Sequence, residues 1–239
     1  MGTHREDFRR EARPVTLTLL SAGAAQALVR TVARAAAIEI AGSFGAVGAM
    51  LEKFDAGEAC DVVILTRKQL DALEEEGRVV AGSIADVGRV ATAIGVLAGR
   101  SAPDVTDEAG LRRALLAADA IYFPDPTRAT AGIHFMKVLE TLGLRSALEA
   151  RLRTFPNGAT AMRAMAAAPG DPLGCTQASE ILATPGLQLV APLPRGFDLE
   201  TPYAAAVSAR ATDPRAAAAF VARLTGPAAR SERATAGFT

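Results

Sequence analysis

The feature that most constrains the fold of this chain is a short, almost continuous apolar run at residues 61–65 (DVVIL). Such a run is typical of a strand that is buried on both faces of a parallel sheet. Thr66 directly follows it and is a good N-cap for a helix over residues 67–76, which would end at Gly77. The run therefore predicts a sheet that is covered by helices on both sides.

Strand and helix patterns alternate along the rest of the chain. Apolar runs predict strands at residues 15–20, 38–41, 61–65, 90–98, 120–123, 153–155, 173–176, 187–190 and 203–209. Periodic apolar positions predict helices at residues 25–36, 48–56, 67–76, 107–118, 131–142, 145–150, 158–167, 178–182 and 214–224. This order implies an α/β fold with a parallel sheet, followed after residue 226 by a loose or edge-packed tail.

A passage rich in proline and glycine at residues 192–202 is a natural crossing point between two α/β units. We therefore expect two lobes with a ligand cleft between them. One lobe would comprise residues 14–90 together with 198–239, and the other residues 91–197. Ligands of open parallel sheets bind outside the carboxyl ends of the strands, so the cleft should lie there.

Four turns meet that description, at residues 21–26, 42–48, 125–132 and 156–160. All four are rich in Gly, Ser, Thr and Ala, so that the backbone can approach a ligand closely and helix N–H groups are free to bind an anion. Arg128 adds a positive charge to the third turn. It is either a solvated loop residue or a guanidinium group that pairs with a carboxylate in the cleft.

Composition and charge exclude several classes of function. Lys+Arg and Asp+Glu both total 26, so the net charge is zero and the chain lacks the basic excess of a nucleic-acid-binding protein. No run of 18 apolar residues occurs, which argues against membrane insertion. The charged N-terminus has no apolar signal region, which predicts a cytoplasmic protein, or a periplasmic one if a signal has been removed. The two cysteines, Cys60 and Cys175, are expected to be buried free thiols.

Neither a cofactor nor a metal is indicated. Residues 42–48 (GSFGAVG) lack the G-x-G of a dinucleotide-binding turn, and a phosphate-binding P-loop motif is missing. The two histidines, His4 and His134, do not form a zinc motif. His134 is either an ordinary helix residue or an acid or base that faces the cleft. Gln177 could line the cleft, and Glu180 could interact with the start of its helix.

Five segments, taken in order, resemble one family: residues 18–28 (TLLSAGAAQAL), 43–50 (SFGAVGAM), 59–65 (ACDVVIL), 125–135 (DPTRATAGIHF) and 173–182 (LGCTQASEIL). The chain resembles the molybdate-binding-protein-like branch of the type 2 periplasmic solute-binding proteins. The resemblance covers about residues 15–225 and implies two α/β lobes, hinged by two crossings, with an anion between them. The SAGA, GIHF and SEIL segments are most similar to a divergent subgroup related to aconitate isomerase, a cofactor-free enzyme on the same fold.

The resemblance also implies a set of ligand-binding positions. Molybdate binders hold the oxyanion with serine hydroxyls from the first two turns, with backbone N–H groups from the third and fourth, and with a tyrosine. Those hydroxyl groups are missing here, because Gly23, Ala46 and Gln177 stand at the two serine positions and at the tyrosine position. The candidate ligand-binding residues are Ser21, Gly23, Ala24, Ser43, Gly45, Ala46, Arg128, Thr130, Ala131, Gly132, Gly158, Ala159 and Gln177.

Three functions remain open at this point. The first is binding of a small anion, with a di- or tricarboxylate favoured over molybdate or tungstate; an ABC permease would be the partner of an exported protein. The second is a cofactor-free isomerase of an unsaturated carboxylate, with His134, Glu180 or Asp125 as the group that transfers the proton. The third is a family member that has lost its ligand and serves only in protein contacts.

Overall fold

The computed structural model describes residues 15–239. The charged N-terminus, with His4 and the expectation about a signal sequence, lies outside the described residues. The strands, numbered β1 to β9 in chain order, are Thr16–Ala22, Glu39–Gly45, Val62–Thr66, Ala85–Leu97, Ile121–Pro124, Leu152–Phe155, Leu173–Gln177, Leu187–Pro192 and Glu200–Val207. The helices, α1 to α10, are Gln26–Ala35, Val47–Asp55, Arg67–Glu75, Glu108–Ala117, Thr130–Thr141, Arg145–Leu148, Gly158–Ala166, Ala178–Leu182, Pro214–Thr225 and Arg230–Thr235.

The strands form one mixed sheet in the order β2-β1-β3-β9-β4-β7-β5-β6, with β8 also pairing with β4. The predicted parallel pairs are present, since β1 runs parallel to β2 and β3, and β5 runs parallel to β6 and β7. The sheet as a whole is mixed. β9 is antiparallel to β3 and β4, and β4 is antiparallel to β7 and β8. The chain leaves the first group of strands along β4 and returns to it along β9, so these two strands run in opposite directions.

Strand β4 joins the two halves of the sheet. Its first part, from Ala85 to Ala91, pairs with β9, and its second part, from Thr92 to Val96, pairs with β7. The change of partner between Ala91 and Thr92 coincides with the first predicted lobe boundary, and the division into residues 14–90 with 198–239 and residues 91–197 stays a prediction.

Local sequence signals explain where several elements begin. The Thr66 side chain and Gln69 form a capping box at the start of α3. Pro214 lies in the first turn of α9, where its missing N–H needs no partner. Most of the large core side chains belong to β1, β3 and the helices that cover them, including Leu19, Leu20 and Phe220, which are fully buried.

The C-terminal residues pack against the edge of the first half of the sheet. Phe238 is buried and contacts the Tyr203 ring edge-on, with the ring centroids 6.2 Å apart. The backbone of Thr239 exchanges two hydrogen bonds of 3.0 Å with Arg89 of β4. Of the two descriptions of this tail that the sequence allowed, edge-packed is therefore correct and loose is wrong, and α10 was not predicted.

Candidate functional site

The site lies where five strands end, at the beginning of the four helices α2, α5, α7 and α8 and of a three-residue 3-10 helix, Gly23–Ala25, that leads into α1. The residues that precede these helices all line one small cavity. They follow or end strands β1, β2, β5, β6 and β7, and they are Ala22, Ala46, Ala129, Asn157 and Gln177. The cavity measures about 20 Å³, which is room for on the order of one water molecule. A larger ligand can therefore enter only if the two lobes move apart.

The N-terminal ends of these helices are arranged to bind an anion. Within residues 15–239, Asn157 is the only one of the five cap residues whose side chain accepts a backbone hydrogen bond, from Thr160 N at 2.9 Å. The other four helices leave their first N–H groups without a side-chain acceptor. Such groups carry partial positive charge, and several of them facing one cavity attract a negatively charged ligand.

Glu180 is the ionisable side chain that dominates the cavity. It is only 7% exposed. Its Oε2 accepts a hydrogen bond of 2.5 Å from Thr176 Oγ1. Backbone hydrogen bonds at Ala159 and Gln177 also reach the carboxyl group. Burial raises the pKa of Glu180, and these hydrogen bonds offset only part of the effect. The residues that line the cavity include no lysine, arginine or histidine within residues 15–239, so no cation in this lining counteracts the effect of burial on the pKa of Glu180.

Two glycines make room for the Glu180 side chain. A Cβ atom at Gly23 would lie 2.7 Å from Glu180 Oε1, and a Cβ atom at Gly158 would overlap Glu180 Oε2 and Thr176 Oγ1. Gly23 belongs to the turn after β1, whereas Gly158 begins α7 in the other half of the molecule. The carboxyl group therefore occupies the space between the two halves that side chains at these positions would otherwise fill.

Two further polar side chains complete the cavity wall. The Gln177 amide nitrogen donates to Thr201 Oγ1 at 3.2 Å, and Gln177 Oε1 is buried without a partner in the described part of the chain. Tyr203, in β9, is buried beside Glu180, and burial raises the pKa of its phenol well above the usual value. A ligand in the cavity would thus meet an acid, a phenol and an amide on one side, and helix N–H groups on the other.

Comparison with known proteins identifies the family. Residues 17–239 match the model of a family described as bacterial extracellular solute-binding protein. The chain belongs to this family. The family match and the two-lobed fold confirm the type 2 solute-binding resemblance that the sequence predicted.

Individual relatives agree with this assignment. The chain is 28% identical over 221 residues to a Pseudomonas sp. protein named aconitate isomerase, a match that covers 88% of this chain and 82% of the relative. The periplasmic molybdate-binding protein of Azotobacter vinelandii is 20% identical with a TM-score of 0.73, covering 93% of this chain and 98% of that one. The sulfate-binding protein SubI of Mycobacterium tuberculosis H37Rv is 18% identical with a TM-score of 0.67, covering 94% and 86%. The solved structures show the shared fold.

The structure brings together nine of the predicted site residues around the cavity. They are Gly23, Ala24, Gly45, Ala46, Thr130, Ala131, Gly158, Gln177 and Glu180. Three polar lining residues were not named from the sequence, namely Asn157, Thr176 and Tyr203. The asparagine had a usable local signal, because it stands at the N-cap position of a predicted helix. Their roles in ligand binding remain predictions.

Four other candidates lie outside the cavity lining. Ser21 is buried and donates to Ala22 O at 3.0 Å, while Ser43 Oγ lies 2.8 Å from Lys53 Nζ. Gly132 packs so closely on the preceding turn that a Cβ atom would overlap the carbonyl oxygens of Pro124 and Asp125. Ala159 lies just behind Glu180, to which its backbone is hydrogen-bonded.

The remaining charged candidates also face away from the cavity. His134 Nε2 lies 2.6 Å from the carbonyl oxygen of Phe197, to which it can donate a hydrogen bond. Phe197 belongs to the segment through which the chain returns to the first lobe. Asp125 accepts hydrogen bonds from Thr127 Oγ1, Thr127 N and Arg128 N, which hold its pKa below the usual value. The Arg128 side chain is half exposed and pairs with Glu52 of α2 at 3.3 Å. Its carbonyl oxygen accepts from Gly48 N at 3.1 Å, so Arg128 connects the two halves of the molecule at the mouth of the cleft.

The described residues lack a metal-binding cluster and a membrane-spanning helix. Residues 15–239 hold no group of three or more His, Cys, Asp or Glu side chains that could bind a metal ion. Over the same residues, no helix has the length and apolar character needed to cross a membrane. Cys60 and Cys175 are buried free thiols, as the sequence predicted.

Proposed function

We propose that this solute-binding protein binds a small di- or tricarboxylate in the cavity between its lobes. The observation that carries the proposal is the convergence on that cavity of the N-termini of α2, α5, α7 and α8 and of the 3-10 helix Gly23–Ala25; all but α7 lack a side-chain cap. Carboxylate oxygens accept hydrogen bonds from backbone N–H groups and are further stabilised by the helix dipoles. Thr130 and Ala131, at the start of α5, are the first donors that a ligand would meet.

Two features favour a carboxylate over molybdate or tungstate. The positions that the resemblance assigns to serine hydroxyls hold Gly23 and Ala46, and the nearby Ser21 and Ser43 hydroxyls have other partners. Burial raises the pKa of Glu180, and in its protonated form this side chain can donate a hydrogen bond to a ligand carboxylate. The relative named aconitate isomerase is named for a carboxylate substrate. An ABC permease stays a predicted partner for an exported form of the protein.

Glu180 also favours a second candidate function, a cofactor-free isomerase of an unsaturated carboxylate. Its raised pKa and its position at the cavity suit a group that accepts and returns a proton. In this reaction the Glu180 carboxylate removes a proton from the carbon next to a ligand carboxylate, and the C–H electron pair delocalises across the adjacent double bond. The Glu180 acid then returns the proton to the far end of the three-carbon unit. The helix N–H groups stabilise the negative charge that develops between these steps.

A thermal-shift screen tests the binding proposal. The purified protein is heated with molybdate, sulfate, citrate and cis-aconitate in turn. A ligand present at 100 times its dissociation constant should add roughly 2.7 kcal/mol to the free energy of unfolding. Stabilisation by citrate or cis-aconitate, but not by molybdate, supports the proposal. Stabilisation by molybdate alone refutes it.

Proton NMR then tests the isomerase candidate. The protein is incubated with cis-aconitate in deuterated buffer, and the spectra are searched for the trans isomer and for deuterium uptake. Glu180→Gln should abolish both signals, because an amide cannot accept and return the proton. Binding without isomerisation or deuterium uptake in the parent protein would leave a binding protein and exclude the isomerase.

A further inference from the structure

A second depression lies on the outer side of Glu180. It has a volume of about 270 Å³ and shares Gly23 and Glu180 with the cavity. It lies among the exposed faces of three helices and the residues that follow the last of them. The residues that line it are Gly23, Gln26, Ala27, Arg30, Ala159, Arg163, Ser179, Glu180, Ala183, Thr184 and Pro185. We call it the arginine groove.

Two arginines from opposite halves of the molecule line this groove. Arg30 lies on α1, which follows β1, and Arg163 lies on α7, which follows β6 at the far end of the sheet. Within residues 15–239, neither guanidinium group has a carboxylate partner within 4.0 Å. Glu180 is the only acidic residue that lines the groove, and its carboxyl group is turned towards Thr176. The groove therefore has an excess of positive charge.

Each arginine side chain makes one contact that holds it at the groove. The Arg30 guanidinium lies 5.6 Å from the centre of the Phe44 ring, and Arg163 Nη2 donates to Thr160 Oγ1 at 3.1 Å. Both interactions leave most of the guanidinium N–H groups available for an acceptor.

A buried hydroxyl group provides an independent indication of a ligand. Ser179 is only 2% exposed and lines the groove, and its Oγ has no hydrogen-bond partner in the described residues. A buried hydroxyl without a partner is unfavourable, and a bound acceptor would satisfy it.

We propose that the arginine groove is a second carboxylate subsite, in which Arg30 and Arg163 bind the distal carboxylate of a ligand whose first carboxylate lies in the cavity. This inference rests on the proposed function and adds to it that the ligand carries at least two carboxylates. Gly23 and Glu180 line both the cavity and the groove, so a ligand that spans the two would pass beside the Glu180 side chain. Arg30 lies in the first lobe and Arg163 in the second, so a carboxylate bound by both guanidinium groups would connect the two lobes.

Calorimetric titration of matched variants tests the subsite. The double variant Arg30→Gln/Arg163→Gln removes both charges, and Arg34→Gln removes a charge from the exposed face of α1 outside the groove. The probes are cis-aconitate, which has three carboxylates, and crotonate, an unsaturated acid with one. We expect the double variant to bind cis-aconitate roughly tenfold or more weakly. Its affinity for crotonate, and the affinity of Arg34→Gln for both acids, should equal those of the parent protein.

Three other results are distinguishable. If the parent protein binds neither acid, the proposed function fails and the subsite with it. If the parent binds cis-aconitate and the double variant binds it equally tightly, the subsite is refuted while carboxylate binding in the cavity stands. If the double variant loses the same factor in affinity for crotonate, the arginines act on closure of the lobes and not on a distal carboxylate, which also refutes the proposal.

Discussion

Replacement of Glu180 by glutamine should change how the stability of the protein depends on pH. Glutamine is close to the neutral acid in size and shape and cannot ionise, although its NH2 group cannot accept hydrogen bonds as a carboxyl oxygen does. Below the usual value of 4.5 the carboxyl group is protonated in both the folded and the unfolded protein. Above that value the unfolded chain releases the proton while the folded protein retains it, because burial raises the pKa. The folded wild-type protein therefore loses stability as the pH rises, until its raised pKa is reached.

The size of this loss follows from proton linkage. One proton retained only in the folded state corresponds to about 1.4 kcal/mol of unfolding free energy for each pH unit. The stability of Glu180→Gln relative to wild type should thus increase by about that amount per pH unit above the usual value, and then level off above the raised pKa. The slope does not depend on any constant effect of the substitution on packing.

Urea denaturation followed by circular dichroism, between about pH 4 and about pH 8, measures this slope. Glu75→Gln, at an exposed position on α3, makes the same chemical change away from the cavity and is the matched control. A stability difference between Glu180→Gln and wild type that is independent of pH would refute the reasoning, because it would mean that Glu180 titrates normally in the folded protein.

Three further predictions concern the site and the core. Gly158→Ala should lower the unfolding free energy by on the order of 1–3 kcal/mol in urea titrations, since the added methyl group overlaps Glu180 and Thr176; unchanged stability would contradict this. Arg128→Ala should lower stability by less than about 1 kcal/mol in the same assay, because the pair with Glu52 is half exposed, and a larger loss would mean that this contact is a major link between the lobes. Cys60 and Cys175 should react with a thiol reagent only after unfolding, because burial raises both pKa values, that of Cys60 to about 12; rapid labelling of the native protein would show that a thiol is accessible.

Most of the fold could be predicted because its signals are local. The run in β3, the capping residue Thr66 and the glycine-rich turns each specify a strand, a helix start or a turn within a few residues. The sequence predicted that β4 begins at residue 90, whereas it begins at Ala85. The prediction was late because apolar and polar residues alternate before Val90 and some of the polar ones are charged. The antiparallel pairing of β4 and β9 was missed, since strand direction depends on how distant segments return to the sheet.

The residues of the candidate site also fall into those with local sequence signals and those that depend on long-range packing. The backbone turns could be predicted because each follows a strand whose carboxyl end faces the cleft. The side chains of Tyr203 and Thr176 could not, because they reach the cavity through the register of β9 and β7. The burial of Glu180 was equally invisible, since it depends on the absence of side chains at Gly23 and Gly158, which are distant in the sequence. The sequence identified the carboxyl group as a candidate, and only the packing shows why its pKa is raised.

The central claim is that a carboxylate binds at the helix N-termini of the cavity. The most direct test is NMR of isotope-labelled protein, in which backbone amide signals are followed during titration with cis-aconitate and, separately, with molybdate. We predict saturable shifts of the Thr130, Ala131 and Gly158 amides with cis-aconitate and none with molybdate. Shifts of these amides with molybdate alone, or cis-aconitate shifts confined to residues outside the cavity, would contradict the claim.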